Sequence, residues 1–257
     1  MAGKIMKNIK EIKNEFENVE LEQVHTLLKL YEDDTRAGVR KICTSFSKKY
    51  QKLQDEKCRL EKMCEEEKSL SEGLIIAGID EAGRGPLAGP VVASAVIMPK
   101  DSRILYINDS KKLSQAKREA LYDQIMAEAI SVGVGIVSPE IIDEINILQA
   151  TYVAMRQAVS QLTTRPELLL NDAVIIPELT IAQKGLIKGD ARCYSIACAS
   201  IIAKVTRDRM MADYDKIYPD YGFKENKGYG SGNHIEVLKK LGPCPIHRRS
   251  FIGNFIN

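Results

Sequence analysis

The sequence predicts an α/β fold, in which helices flank a mixed β-sheet and a helical N-terminal extension precedes it. Apolar residues in the first 70 positions recur every three or four residues, as in amphipathic helices. Beyond residue 74, short β-branched runs alternate with longer segments of helical spacing, which is the pattern of a sheet covered by helices. The first two of these runs are joined by a short link, which favours an antiparallel pair.

A composition break near residues 70–74 divides the chain into two predicted regions. Residues 1–70 are polar and contain two glycines, and residues 48–68 are dense in Lys, Arg and Glu. Such a charge run usually forms a solvated helix face; an arm that binds nucleic acid or another partner is the alternative. Residues 71–257 are richer in glycine, proline and β-branched residues and are predicted to form the main domain.

The main domain is predicted to contain five strands and four helices. The strands are expected at 74–79, 91–98, 132–137, 168–170 and 186–187. The helices are expected at 115–130, from 139, at 147–162 and at 195–211. Ser114 is suited to cap the first of these helices, and Pro139 favours the first turn of the second. Residues 33–35 are expected to separate two helices of the N-terminal region.

The composition argues against several classes of protein. The formal net charge of +2 is too small to indicate a nucleic-acid partner by itself. None of the six cysteines forms a C-x-x-C pair and the three histidines are scattered, which argues against a zinc or redox site. The N-terminus is charged from Lys4 and lacks an apolar signal region, and no apolar run approaches the ~20 residues that span a bilayer. A cytoplasmic protein without membrane contact is expected.

Acidic residues follow three of the predicted strands. Asp80 and Glu81 follow the first, Asp172 the fourth and Asp190 the fifth. A single acid after a strand commonly marks the exit into solvent, but sites in α/β sheets lie where loops leave strand ends. Converging carboxylates repel one another unless a cation lies between them, and oxygen-only ligands suit Mg²⁺ or Mn²⁺ rather than zinc. The sequence therefore predicts a divalent-metal site able to support phosphodiester hydrolysis.

A glycine-rich turn follows the first two acids. Gly83 and Gly85 flank Arg84, so the backbone can approach a ligand closely while the guanidinium offers planar donors to a phosphate. A plain turn with an exposed arginine is the alternative. The segment is a poor dinucleotide-binding fingerprint, because Pro86 and Pro90 disfavour the helix start that this fingerprint requires.

Three further segments are candidates for substrate contact. Asn108, Ser110 and Lys111 precede a predicted helix, where hydroxyl and basic groups bind phosphate; simple helix capping is the alternative. Tyr229 lies between two glycines, where an exposed ring can stack on a sugar or base; a tyrosine packed on the loop is the alternative. Residues 247–251 are basic, and a surface tail is the alternative interpretation.

The segment from Ile79 to Val92 resembles the signature of bacterial ribonuclease HII, and further motifs follow in that family's order. These motifs are 108–113, 188–190, 199–208, 227–230 and 247–251. The similarity extends over about residues 74–257. It implies a ribonuclease H-like catalytic domain that cuts RNA in RNA/DNA hybrids. It also implies nicking on the 5′ side of a ribonucleotide embedded in duplex DNA, leaving a 3′-hydroxyl and a 5′-phosphate.

The same resemblance implies a set of site residues. The family's four acids correspond to Asp80, Glu81, Asp172 and Asp190, which would hold Mn²⁺ or Mg²⁺ for a two-metal hydrolysis. The Gly-Arg-Gly loop would read the ribose 2′-hydroxyl, the group that distinguishes RNA from DNA, and Tyr229 would pack on the next deoxyribose. The expected nucleic-acid-binding residues are Gly83, Arg84, Gly85, Asn108, Ser110, Lys111 and Tyr229. The implied partners are RNA/DNA hybrids and ribonucleotide-containing DNA duplexes, bound by a monomer.

Two features bear on how far the resemblance extends. Asn171 places a polar residue before Asp172, where the family usually has an apolar one, which leaves the pose of the acid open. The related ribonuclease HIII type has a sheet-containing N-terminal domain, so the helical pattern of residues 1–70 favours type HII. Two other classes of function stay open: an inactive relative that only binds hybrids, and an interaction module on the N-terminal helices.

Overall fold

The computed structural model describes residues 7–71 and 73–256. The charged start at Lys4 and the rest of residues 1–6 lie outside the described residues. The described chain divides into two compact units, with the boundary between Glu61 and Lys62. None of the described helices is both long enough and apolar enough to cross a bilayer.

The first unit consists of helices, as the sequence predicts. They are α1 (Ile9–Asn18), α2 (Val24–Leu30) and α3 (Ala37–Ser71), and α3 continues into the second unit. Asn8 and Glu11 start α1 with a capping box, in which each side chain accepts the other residue's backbone N–H. The fully buried residues of this unit's core are Ile12, Phe16, Val24 and Val39. The predicted break at 33–35 lies between α2 and α3.

The second unit contains a five-stranded mixed sheet. Its strands are β1 (Ile76–Ala82), β2 (Val91–Ile97), β3 (Ser131–Val137), β4 (Leu168–Asp172) and β5 (Ala182–Leu186). The strand order is β3-β2-β1-β4-β5. The pairs β1–β2 and β2–β3 are antiparallel, whereas β1–β4 and β4–β5 are parallel. The predicted mixed sheet and the predicted antiparallel first pair are therefore confirmed.

Two strand ends differ from the prediction. β1 continues through Asp80 and Glu81, because both residues pair with β2, so these acids lie on the strand rather than after it. The prediction of the last strand is wrong in position: β5 ends before Ile187, whose side chain is 74% exposed. Asp190 therefore does not follow a strand directly but lies in a short helix, α6 (Gly189–Arg192). The true strand carries polar residues along the sheet edge, where an apolar pattern gives no signal.

Helices cover both faces of the sheet. The remaining helices are α4 (Gln115–Glu128), α5 (Pro139–Ser160), α7 (Tyr194–Ile217), α8 (Phe223–Asn226), α9 (Gly232–Leu241) and α10 (Arg249–Ile252). α5 packs on β2 and β3, and α7 packs on β1 and β2. Gly78 permits the second contact, since a Cβ there would lie 2.1 Å from the backbone carbon of Ser195. The two helices predicted from residue 139 form one helix with a break at Asn146, where φ is 68°.

The C-terminal end of α3 is fastened to α7 within the second unit. Both the backbone N–H and the hydroxyl of Ser195 donate to the Glu67 carboxylate, each over 2.7 Å. Lys184 of β5 also donates to the backbone carbonyl of Leu70 over 2.8 Å. The two contacts of Glu67 fix the first turn of α7, the helix that packs on β1.

Candidate active site

Asp80 is the buried centre of the predicted acidic cluster. Its side chain on β1 accepts the backbone N–H of Glu81 over 2.7 Å. Burial raises the pKa of Asp80 well above its ordinary value, and the negative charges of Glu81 and Asp172 raise it further. Carboxylates from the adjacent strands β1 and β4 are thus close enough to repel one another.

Asp172 and Asp190 come together through a backbone contact. Asp172 ends β4, and its carboxylate accepts the backbone N–H of Gly189 over 2.7 Å. Because Gly189 begins α6, this hydrogen bond holds the end of the strand beside the turn that carries Asp190. Burial raises the pKa of Asp190, and the charges of Asp109 and Asp172 add to the effect. The four predicted acids therefore form one electrostatically connected group.

The polar residue before Asp172 has a structural role of its own. Asn171 is fully buried, and its amide donates to the backbone carbonyl of Val174 and to the side-chain oxygen of Gln183, over 3.2 and 2.9 Å. Successive strand residues point to opposite faces of a sheet, so Asn171 faces away from Asp172. The departure from the family pattern thus lies on the face opposite the acids.

Lys111 brings positive charge to the cluster from the loop before α4. Burial alone would lower the pKa of its ammonium group, but the surrounding carboxylates outweigh burial and raise it. These carboxylates belong to Asp80, Asp109, Asp190 and Glu81. Lys111 is thus a built-in cation beside four acids, in a position to meet an anionic substrate.

The other two predicted residues of this loop are engaged inside the protein. The side-chain oxygen of Asn108 accepts the backbone N–H of Asp109 over 2.9 Å. Ser110 is buried, and its hydroxyl lies 2.9 Å from that of Ser200. Ser114 caps α4 by accepting the N–H of Lys117, so the capping alternative is confirmed for Ser114. In this conformation Asn108 and Ser110 make hydrogen bonds within the protein, whereas the ammonium group of Lys111 lies near the acids.

The donor set suits a divalent cation. All four acids offer oxygen ligands, and burial and mutual repulsion raise the pKa of Asp80 and Asp190, so a cation among the four acids would relieve their repulsion. In this conformation no three acidic, histidine or cysteine side chains of residues 7–71 and 73–256 stand close enough to coordinate one ion. Binding an ion therefore requires the carboxylates to close around it.

The glycine-rich loop and the tyrosine loop meet beside the acids. Gly83 has a φ of +95°, a conformation that favours glycine, and a Cβ there would lie 2.1 Å from the Nε atom of Arg207. The side chain of Arg84 is 43% exposed and lies 3.5 Å from the Glu81 carboxylate. A Cβ on Gly85 would lie 4.0 Å from the ring of Tyr229, which is 44% exposed.

Two arginines beneath these loops are buried, which the sequence did not predict, although they lie in the segments 199–208 and 247–251 that resemble family motifs. Arg207 and Arg248 are 1% and 0% exposed, and both donate to backbone carbonyls of the glycine-rich segment. The alternative interpretation of residues 247–251 as a surface tail is wrong at its start, because His247 and Arg248 are buried. The available signal was helical spacing: Arg207 follows Ala203 by four residues on the buried face of α7.

Comparison with protein families places these features in a known group. The model of the family described as Ribonuclease HII matches residues 77–254, and that of the Ribonuclease HII N-terminal domain matches residues 8–71. The ribonuclease HII of Lachnoclostridium phytofermentans is 60% identical over 224 residues, covering 87% of this chain and 88% of its own. That of Clostridioides difficile is 48% identical over 252 residues, covering 97% and 99%.

Solved structures share the fold. The crystal structure of ribonuclease H2 from Pyrococcus horikoshii superposes with a TM-score of 0.58 at 30% identity, covering 68% of this chain and 92% of that one. The Bst-RNase HIII structure in complex with Mn²⁺ has a TM-score of 0.51 at 18% identity, a likeness of fold. The predicted resemblance is thus confirmed: this chain belongs to the ribonuclease HII family, and it is an RNA/DNA-hybrid endoribonuclease.

Proposed function

We propose that this ribonuclease nicks duplex DNA on the 5′ side of a single embedded ribonucleotide, in addition to cutting the RNA strand of hybrids. The observation that carries the proposal is the adjacency of two sets of residues. The acidic cluster around Asp80 adjoins a loop, at Gly83 to Gly85, that lies against the exposed ring of Tyr229. One set suits phosphodiester hydrolysis, and the other suits recognition of a single sugar and its neighbour.

The acids are proposed to hold the metal. Asp80, Glu81, Asp172 and Asp190 would bind Mn²⁺ or Mg²⁺, one or two ions, which would stabilise the negative charge that develops on the scissile phosphate. The chain holds two of the acids through its backbone, since the N–H of Gly189 donates to Asp172 and that of Glu81 donates to Asp80. These contacts would keep both carboxylates at the site while the four acids close around the ion.

Recognition is proposed to follow from the two loops. Backbone amides of the Gly-Arg-Gly loop would hydrogen-bond the ribose 2′-hydroxyl, which DNA lacks. The exposed guanidinium of Arg84 would pair with a backbone phosphate, and the ring of Tyr229 would pack on the deoxyribose that follows. Lys111 would contact a phosphate on the acidic side of the site. One ribonucleotide is enough to make all of these contacts, so a run of RNA is not required.

The test is a DNA duplex with one ribonucleotide, compared with the same duplex made entirely of DNA. With Mn²⁺ or Mg²⁺ the protein should cut the first duplex once, on the 5′ side of the ribonucleotide, leaving a 3′-hydroxyl and a 5′-phosphate. Chelation of the metal should stop the reaction, and the all-DNA duplex should remain intact. Cleavage of RNA/DNA hybrids without any nick at the single ribonucleotide would overturn the proposal.

A further inference from the structure

Arg248 lies under the Gly-Arg-Gly loop with every guanidinium nitrogen engaged. Its Nε donates to the carbonyl of Gly89 over 2.9 Å, one terminal nitrogen donates to the carbonyl of Arg84 over 2.9 Å, and the other donates to that of Gly83 over 2.5 Å. Its own backbone N–H donates to the carbonyl of Leu87 over 2.9 Å. A single buried residue thus binds four carbonyls of one short loop.

Arg207 makes a matching set of contacts and reaches a second loop. Its guanidinium donates to the carbonyls of Pro90 and Ala88, over 2.9 and 3.0 Å, and to that of Lys227 over 2.9 Å. The backbone carbonyl of Gly228 accepts from Leu87 over 2.8 Å and reinforces the same connection. The tyrosine loop is therefore fastened to the glycine-rich loop rather than merely adjacent to it.

The carbonyl contacts determine where the loop's amides point. In a planar trans peptide the C=O and N–H groups point in opposite directions. Because the carbonyls of Gly83 and Arg84 point down to Arg248, the N–H groups of Arg84 and Gly85 point up, away from the protein interior. Within the described part of the chain, neither of these two amides donates to a protein acceptor. Both are available to a ligand on the outer side of the loop.

We infer that Arg248 and Arg207 are positioning residues for recognition of the RNA–DNA junction. Arg248 orients the loop amides toward the ribose 2′-hydroxyl, and Arg207 sets the spacing between that loop and Tyr229. This inference rests on the proposed function. A planar fork of donors suits this arrangement, since a guanidinium holds its N–H groups in fixed directions whereas a lysine ammonium is a compact point charge. Simple packing does not explain the choice of residue, because burying a guanidinium is unfavourable and lowers the pKa of Arg207 to about 10 and that of Arg248 to about 9.

The first experiment compares Arg248→Lys and Arg207→Lys with Arg209→Lys, a matched change on the exposed side of α7 at a residue that pairs with Glu119. Two quantities are measured: kcat/KM for nicking the single-ribonucleotide duplex, and the inhibition constant Ki of the all-DNA duplex. Arg248→Lys should lower kcat/KM by about 100-fold, because the loop amides are misplaced. It should leave Ki nearly unchanged, since the all-DNA duplex offers no 2′-hydroxyl. Arg207→Lys should also lower kcat/KM, and Arg209→Lys should change neither quantity by more than about twofold.

Either of two results would overturn the inference: an Arg248→Lys variant of wild-type kcat/KM, or one whose kcat/KM and Ki deteriorate in parallel, as general damage would produce. A variant that fails to fold does not block the test, because hydrogen exchange on the wild-type protein examines the same geometry. The amides of Arg84 and Gly85 should exchange rapidly in the free protein. An RNA/DNA hybrid should protect them and an all-DNA duplex should not. Protection in the free protein would show that they point inward and would refute the role of Arg248, even where the nicking proposal stands.

Discussion

The backbone N–H of Gly189 donates to the Asp172 carboxylate over 2.7 Å and so joins the third acid of the site to the turn that carries the fourth. The two acids are 18 positions apart in sequence, and both are distant in sequence from the strand that carries Asp80. Such a contact fixes a carboxylate without neutralising it, because the donor is an uncharged amide. The acids are therefore held together while their charges continue to repel, and this repulsion should affect both stability and metal binding.

Asp80→Asn should stop catalysis and stabilise the metal-free protein. Loss of the central carboxylate should lower the nicking rate by more than about 100-fold, with duplex affinity nearly unchanged. The folded-state pKa of Asp80 is raised, so this group lowers the stability of the folded protein as the pH rises above the ordinary pKa of an aspartate, and the neutral amide removes that penalty. Thermal unfolding in chelator should show a higher Tm than for wild type. Asp123→Asn, at an exposed residue of α4, is the control and should change neither quantity; an active Asp80→Asn protein would contradict the assignment.

Added metal should also stabilise the wild-type protein, because a cation relieves the repulsion among the same acids. An ion that binds only the folded state at about 100 times its Kd stabilises by about 2.7 kcal/mol, which corresponds to a rise in Tm of about 5–10 °C for a protein of this size. The rise is expected with Mn²⁺ or Mg²⁺ and should be much smaller in Asp80→Asn. An equal rise in both proteins would show that the ion binds somewhere other than this cluster. The measurement needs no substrate, so it is independent of the nicking assay.

Two replacements of Tyr229 should distinguish the contribution of its ring to activity from that of its hydroxyl. The proposed contact is packing of the ring face on a sugar, so Tyr229→Phe should retain activity on the single-ribonucleotide duplex. Tyr229→Ala should lower kcat/KM by about 10-fold or more, in line with about 1–3 kcal/mol for a stacked aromatic residue. The matched pair serves as its own control. If Phe were as damaging as Ala, the hydroxyl rather than the ring would make the essential contact.

The sequence predicted the sheet better than it predicted the location of the fourth acid. β1 to β4 were all detectable because buried strands are apolar, whereas β5 carries Gln183 and Lys184 on a sheet edge and has no such signal. The apolar pair at 186–187 was mistaken for the strand itself. Asp190 nevertheless lies near Asp172, because the turn after β5 returns to the sheet end where Asp172 lies.

The buried arginines beneath the loops show a second limit of prediction from the sequence. Charged residues are seldom fully buried, so charge alone favours a surface position for Arg207 and Arg248. What stabilises them in the interior is a set of backbone carbonyls brought together from residues 83–90 and 227, and this set exists only in the folded chain. The acids were predictable from their own chemistry, whereas the arginines were not, because their function depends on partners that carry no side-chain signature.

Two buried histidines connect the tyrosine loop to the C-terminal segment. The backbone N–H of Cys244 donates to Nδ1 of His247 over 3.0 Å, so the proton of a neutral His247 must be on Nε2. That nitrogen lies 3.0 Å from Nε2 of His234, which therefore accepts, leaving Nδ1 of His234 to donate to the carbonyl of Tyr229 over 2.8 Å. Every position in this chain of hydrogen bonds is satisfied only when both rings are neutral.

Acidification should therefore destabilise the protein through this pair. Burial, followed by the neighbouring His234, lowers the pKa of His247 to about 4, against 6.5 for an ordinary histidine. Between these values the unfolded chain binds the proton and the folded chain does not. The contribution of such a histidine to the free energy of unfolding is thus complete above pH 6.5. It falls as the pH drops toward 4, by about 1.4 kcal/mol per pH unit. His247→Gln should reduce the slope of unfolding free energy against pH, measured between pH 6 and 5, by about that amount. His25→Gln, an exposed residue of the first unit, should leave the slope unchanged; a wild-type slope in His247→Gln would mean that His247 is already protonated in the folded protein.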